Sequence, residues 1–367
     1  MERESVKVAV AMSGGVDSSV AAALLKEEGY TVYGVTMQIW DGEGLRGEGM
    51  HHGCYGAGEE EDIEDARRVA GALGIPYHVF DLRQEYKEQV LDYFRREYLA
   101  GRTPNPCLRC NHRVKFDALV RKTKDSGIDF DFFATGHYAR MEYDETRRRY
   151  LLKKARDLSK DQTYFISSLS QEQLSRTLFP IGHLTKEEVR KMAADLGLCV
   201  SKKPDSQDFV SGGYSPLVES VGPGPILDKE GKMLGEHRGI PFYTIGQRKG
   251  LTISARQPLY VTDIDAERNA IIVGGREELY RDELIASNLN WIAVENLEHP
   301  MPVKARIRQQ HREAEAIITP LGDDQVYVKF KEPQMAITPG QAVVFYDSDM
   351  VIGAGTIERL PAVMSGK

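Results

Sequence analysis

Two short stretches hold side chains whose types and spacing suit chemistry. The first is Ser13-Gly14-Gly15-Val16-Asp17-Ser18-Ser19, which combines two glycines, three hydroxyls and a carboxylate. Glycines let successive backbone N–H groups converge on one anion, and a helix starting just after them adds partial positive charge. Asp17 cannot hold phosphate itself, but it suits the magnesium that accompanies phosphate. No Lys-Ser/Thr pair follows the glycines, so the loop is not of the Walker A kind. The second stretch, Arg102-Thr103-Pro104-Asn105-Pro106-Cys107-Leu108-Arg109-Cys110-Asn111, carries a Cys-x-x-Cys behind two prolines. It opens a helix expected over 112–122, whose N-terminus, with Arg109, would lower a thiol pKa. Proline-stiffened polar loops are poor sites for core hydrophobes, so Cys107 and Cys110 read as chemistry. Cys54 reads as an ordinary small residue in a loop, 42–58, whose seven glycines suggest a lid. His51 and His52 beside it make a weak case for a metal site, being so tightly spaced.

These stretches need elements to position them. Val6, Val8 and Val10 recur at period two and predict a strand over 6–12 that runs into the Ser13 loop. A helix over 18–28 stops at Gly29. Strands over 31–38, 77–81 and 132–135 alternate with helices over 61–73 and 84–99. That order predicts an α/β parallel sheet with helices on both faces, its ligand lying outside the carboxyl ends of the strands. Beyond about Ile240, short strand-like runs (259–261, 270–273, 325–330 and 342–346) are separated by Gly, Pro and Asp turns, which predicts small β domains. Boundaries near Pro204 and Tyr280 divide the chain into 1–204, 205–280 and 281–367.

Composition narrows the partners. The chain has 367 residues, of which 41% are hydrophobic and 28% charged, too apolar for a disordered protein. No apolar run approaches the roughly 18 residues of a membrane span. The acidic N-terminus, with an apolar run of only about five residues, is no signal or transit peptide. A cytoplasmic location with reduced thiols is therefore expected, and four cysteines are too few for a disulfide scaffold. The net charge of −7 argues against a wholesale basic nucleic-acid binder but allows local basic patches. Candidates are Arg147-Arg148-Arg149, Lys153-Lys154 with Arg156, and Lys304, Arg306, Arg308 and Arg312.

Six motifs then occur in order: Ser13-Gly-Gly-Val-Asp-Ser-Ser19, Thr103-Pro-Asn-Pro106 with Cys110-Asn111, Ala134-Thr-Gly-His-Tyr-Ala139, Lys160-Asp-Gln-Thr-Tyr-Phe165, Asp205-Ser-Gln207 and Tyr243-Thr-Ile-Gly-Gln-Arg-Lys-Gly250. The first resembles the PP-loop of the N-type ATP pyrophosphatases. Together they resemble the tRNA-specific 2-thiouridylases over nearly the whole chain. The resemblance implies a PP-loop domain, a small central domain and a C-terminal β-barrel. It implies ATP-dependent replacement of the 2-oxygen of the tRNA wobble uridine by sulfur, with AMP and pyrophosphate released. A carbonyl oxygen is a poor leaving group until AMP is attached to it. ATP and Mg2+ are the implied cofactors; tRNA, met at its anticodon loop, and a sulfur-donor protein or sulfide source are the implied partners, with no membrane.

Residue by residue, the resemblance assigns ATP phosphates to Ala11, Met12, Ser13, Gly14, Gly15, Val16, Asp17 and Ser18, with Met37 and Gly136 bordering the adenosine. Asn105, Pro106 and Cys107 would lie against the target base, and Cys110 matches the nucleophile. His137, Lys160, Asp161 and Gln162 fall where the family touches tRNA. Arg308, Gln309 and Gln341 match further tRNA contacts, although the sequence over 307–310 departs from the usual pattern.

The chain also departs from the family's commoner pattern at its thiols. Cys107 stands where most relatives have Asp, and Val210 where they have the second catalytic cysteine. Cys199 is the nearest substitute. One route puts a persulfide on Cys199, resolved by Cys110. The other, preferred, is a [4Fe–4S] cluster on Cys107, Cys110 and Cys199 with one iron left open. Two alternative readings use the same loop. An enzyme that adenylates another carbonyl for nitrogen transfer would need no cysteines, and a nucleotide-regulated RNA-binding protein would tolerate Cys110→Ser.

Overall fold

Val8, Ala9 and Val10 are fully buried, so the first strand, β1 (Lys7–Ala11), is covered on both faces as central parallel strands are. In the computed structural model, which describes residues 5–42, 54–205, 209–210, 214–218, 220–322 and 324–360, β1 is followed by α1 (Val16–Glu27), β2 (Thr31–Gln38), α2 (Glu59–Leu73) and β3 (Tyr77–Asp81). The expected helix over 84–99 is interrupted: α3 (Arg83–Tyr86) passes through a π-helical turn at Lys87–Leu91 into α4 (Asp92–Leu99). Similarly, α5 (Pro106–Cys110) runs through a second π-helical stretch, Asn111–Ala118, into α6 (Leu119–Asp125). Both cysteines of the Cys-x-x-Cys therefore lie inside the helix they were expected to precede.

Next come β4 (Phe132–Thr135), the hairpin β5 (Ala139–Asp144) and β6 (Arg149–Lys154), α7 (Thr163–Ile166), α8 (Gln171–Ser175), β7 (Thr177–Leu178) and α9 (Lys186–Asp195). The sheet is parallel with strand order β3-β2-β1-β4-β7. Successive strands add to opposite sides of β1, which opens a crevice at its carboxyl end. Ala21, Ala22 and Ala23 let the largely buried α1 sit close to the sheet, and Val189 and Ala193 of α9 join the same core.

The chain divides into two units. One runs to Val90 and resumes over Pro106–Tyr214 and Asp349–Val351, and it holds the parallel sheet. The other takes Leu91–Asn105, Ser215–Ser348 and the chain from Ile352. It contains a four-stranded sheet of β8 (Gly224–Leu227), β9 (Met233–His237), β10 (Tyr260–Asp265) and β11 (Ala270–Gly274), ordered β10-β11-β8-β9 around Ile226, Val261, Ile271 and Val273. Apart from the first two residues of its last strand, it also contains a closed barrel of β12 (Tyr280–Trp291), β13 (Met301–Arg306), β14 (Ala314–Pro320), β15 (Gln325–Met335), β16 (Ala342–Asp347) and β17 (Met350–Glu358). The barrel order is β12-β15-β14-β13-β16-β17, closing back on β12. The expected α/β sheet and C-terminal barrel are both present. No helix among the described residues is long and apolar enough to cross a membrane. His51, His52, most of the glycine-rich loop and the Ser206-Gln207 part of the fifth motif lie outside the described residues.

Candidate active site

β1 ends at Ala11, and the buried Met12 donates its N–H to the Val35 carbonyl at 2.9 Å. The chain then turns through Gly14 at φ +68°, where any Cβ would sit on the carbonyl of Asp62. Glycine is thus required by conformation and by space. Gly15 is extended, and no side chain caps α1. Ser18 Oγ accepts from the Ser13 N–H at 3.2 Å and donates to the Gly15 carbonyl at 3.3 Å, to which Ser19 Oγ also donates at 2.7 Å. The serines fold the loop on itself, and no side chain caps the start of α1 at Val16, an arrangement that suits an anion. A Cβ on Gly136 would lie 2.5 Å from Ser18 N, so the exit of β4 rests directly on the loop. Met37, the last residue but one of β2, is in register with Phe80.

Asp17 is held from two sides. Lys186 Nζ donates to both of its oxygens at 2.8 Å, and the Tyr138 hydroxyl donates to Oδ1 at 2.8 Å. Lys186 also pairs with Asp205 at 2.8 Å, and Asp205 accepts from Lys160 at 2.9 Å and Arg190 at 2.6 Å. Burial alone would raise the Asp205 carboxyl, but these cations outweigh it and hold it at about 2. Tyr138 is pushed upward, by burial first and then by Asp17, and keeps its proton. Lys186 is set in place by Thr185 and Glu188, which cap α9 reciprocally. That box, Thr185-x-x-Glu188, is the sequence signal that motif spacing overlooked. Magnesium usually takes one or two carboxylates together with phosphate oxygens. Asp17 offers one, provided it releases an oxygen from Lys186.

The thiols differ from expectation. Arg109, expected to lower their pKa, turns away: its Nε donates to the Gln89 carbonyl at 3.1 Å and its Nη2 to Gln89 Oε1 at 3.3 Å. Burial instead pushes the Cys110 thiol up to about 11, with Lys115 opposing too weakly and Cys54 adding to the rise. Cys54, Cys107 and Cys110 all lie within electrostatic reach of Tyr86, whose hydroxyl burial and then these thiols push well upward. Cys199 does not join them. It is exposed beyond α9 and lies within electrostatic reach of Arg68 of α2. Among the described residues no three His, Cys, Asp or Glu side chains are placed to hold a metal. The cluster expected on Cys107, Cys110 and Cys199 therefore does not fit, because these three thiols do not converge as metal ligands.

Several residues matched to tRNA contacts brace the protein itself. His137 is buried against Phe116 and Phe179, with Nδ1 2.8 Å from Thr135 Oγ1, and burial keeps it neutral. Asp161 is buried and accepts from the Ala155 N–H at 3.1 Å and from Thr163 Oγ1 at 2.7 Å. Gln162 Oε1 accepts from the Tyr138 N–H at 2.8 Å. Within the second unit, Arg308 donates to the carbonyls of Ile245 and Ala336 at 3.2 and 3.1 Å and to Thr338 Oγ1. Gln309 is the next residue of that turn, where the His311 N–H donates to the Arg308 carbonyl. Gln341 Nε2 donates to the carbonyls of Thr103 and Pro104 at 2.9 and 3.1 Å, which fixes the approach to Asn105, and Pro106 then starts α5. Of the basic clusters, Arg147 pairs with Asp144 and Lys153 with Glu142. Lys154 is buried.

Comparison with known proteins agrees with this layout. Residues 6–211 match a family described as the tRNA methyl transferase HUP domain, 217–275 the tRNA methyl transferase PRC-barrel domain, and 281–357 the aminomethyltransferase beta-barrel domain. The chain is 52% identical to tRNA-specific 2-thiouridylase MnmA 1 of Thermoanaerobacter sp. over 97% of its own length and 99% of that protein's. It is 53% identical to tRNA-specific 2-thiouridylase MnmA 2 of Caldanaerobacter subterraneus subsp. tengcongensis over 96% and 98%. It is 50% identical to tRNA-specific 2-thiouridylase MnmA of Acetivibrio thermocellus over 96% and 99%.

Proposed function

The chain belongs to the tRNA-specific 2-thiouridylase family, and from that premise we propose that it activates the wobble uridine of tRNA with ATP in the cytoplasm and replaces its 2-oxygen with sulfur. The start of α1 behind Gly14 receives the ATP phosphates, and Lys186 lends a positive charge beside them. The uridine O2 attacks the α-phosphorus, pyrophosphate leaves, and C2 then carries AMP as its leaving group. A thiol-borne sulfur displaces that AMP. A protein or small-molecule persulfide is the sulfur source, and the anticodon loop is the part of tRNA that enters, because its unpaired bases can be splayed out.

The observation that carries this reading is the uncapped α1 N-terminus, with Lys186 on Asp17 beside it, in the same unit as the Cys107–Cys110 pair. Pyrophosphate release tests the activation half. With tRNA and ATP present it should be stimulated by tRNA carrying a wobble uridine and not by tRNA with cytidine there; equal release with either contradicts the assignment.

A further inference from the structure

We propose that Cys54 supplies the second thiol for sulfur transfer, acting with Cys110 from beside the position that Val210 fills. The inference rests on the proposed activity and names the residue that completes its sulfur step. Val210 is buried and carries no sulfur, yet the neighbouring backbone meets Cys54's own strand of chain. The Tyr55 N–H donates to the Phe209 carbonyl at 3.2 Å, and the two rings stack at 6.4 Å. Residue 54 therefore runs alongside 209–210, and a thiol absent at 210 is restored across one backbone hydrogen bond.

The same segment reaches the nucleophile's helix. Tyr55 stacks on Tyr86 of α3 at 5.3 Å and 12°. One turn further along, Gln89 holds Arg109, the residue before Cys110. The neighbours of Cys54 and Cys110 in the chain thus both dock on α3 and the π-helical turn that follows it, and each thiol lies within electrostatic reach of Tyr86 and of the other. Cys54 is exposed and Cys110 only half-buried, so an incoming donor can load the former.

The chemistry balances with thiols alone. A persulfide donor, R–S–SH, passes its outer sulfur to the Cys54 thiolate and leaves as the thiolate R–S⁻. The Cys54 persulfide anion attacks C2 of the adenylated uridine; a C–S bond forms and AMP leaves with the C–O bond pair. The Cys110 sulfur then attacks the Cys54 sulfur of the adduct. A Cys54–Cys110 disulfide forms, the other S–S bond breaks with its electron pair going to the sulfur on C2, and the Cys110 proton ends on N3 of 2-thiouridine. A dithiol reductant returns both cysteines to thiols.

A single turnover with the full-length protein, cysteine persulfide, ATP, magnesium and a tRNA transcript, without added reductant, tests this. Alkylation followed by non-reducing peptide mapping should give one Cys54–Cys110 linked peptide per 2-thiouridine, while Cys199 stays alkylated. Cys54→Ser should release pyrophosphate within about threefold of wild type yet lose thiolation by 100-fold or more. A disulfide from Cys110 to Cys199 or Cys107, thiolation with Cys54 still alkylated, or thiolation by Cys54→Ser near the wild-type rate would overturn the proposal and leave the activity standing. Neither pyrophosphate nor 2-thiouridine from wild type would overturn both.

Discussion

Lys186 Nζ stands 2.8 Å from each carboxylate oxygen of Asp17, so the only acid of the phosphate loop is already paired with a cation from the start of α9. The pairing gives the loop a lysine that its own sequence lacks. It also couples Asp17, through Lys186, to Asp205.

Removing Lys186 should therefore hurt activation more than folding. Lys186→Met leaves two carboxylates facing each other without their shared cation, and pyrophosphate release should drop about 100-fold, equivalent to roughly 2.7 kcal/mol of transition-state stabilisation. Lys186→Arg should recover part of it. Asp17→Ala should abolish pyrophosphate release while tRNA affinity, measured by filter binding, stays near wild type. Wild-type release from Lys186→Met would make the network purely structural.

Glu59 gives a pH signature in stability. Burial raises its carboxyl from 4.5 to about 7, although the Ile39 and Trp40 N–H groups donate to it. A raised folded pKa means that the stabilising contribution is full below about pH 4.5 and is lost as pH climbs through about 7. The whole difference is at most about 3 kcal/mol. Urea midpoints should fall between pH 5 and pH 8 from this source, and Glu59→Gln should flatten that fall. An unchanged pH slope in the variant would assign it to other groups.

Cys110, at about 11, is almost wholly protonated at neutral pH. Because only the thiolate reacts, its iodoacetamide labelling should be slow at pH 7 and rise close to tenfold per pH unit up to pH 9.5. Mass spectrometry of the Cys110 peptide reads the rate. A plateau below pH 8 would show a thiol activated by its surroundings, as Arg109 would have made it.

Gln341 holds the loop ahead of the thiols by donating to the carbonyls of Thr103 and Pro104. Two such bonds contribute about 1 kcal/mol each, so Gln341→Ala should lower thiolation by roughly 5- to 30-fold while the KM for ATP stays constant. A rise in the ATP KM instead would mean that the side chain serves the nucleotide.

Local patterns were legible in the sequence where one force dominated. The alternating valines and the glycine turn placed β1 and the phosphate loop, and β2 and β3 have the expected bounds. The β5–β6 hairpin was not visible, because its strands carry Glu142, Arg149, Lys153 and Lys154 and its turn holds the basic run at Arg147-Arg148. Arg109 follows Cys107 closely in sequence, but the helix carries its guanidinium to Gln89, a choice set by tertiary contact. The Tyr55–Phe209 bond spans more than 150 residues, a separation no periodicity reports, so sequence proximity to position 210 favours Cys199 over Cys54. His137 shows the converse: a motif residue that looks available in sequence is buried by Phe116 and Phe179.

The central claim is that ATP activation and sulfur insertion happen on one uridine, and nucleoside mass spectrometry tests it most directly. Unmodified tRNA incubated with the protein, ATP, magnesium and cysteine persulfide should gain one 2-thiouridine at the wobble position for each AMP and each pyrophosphate released. Pyrophosphate released without thiouridine, or 2-thiouridine formed without ATP, would contradict the account.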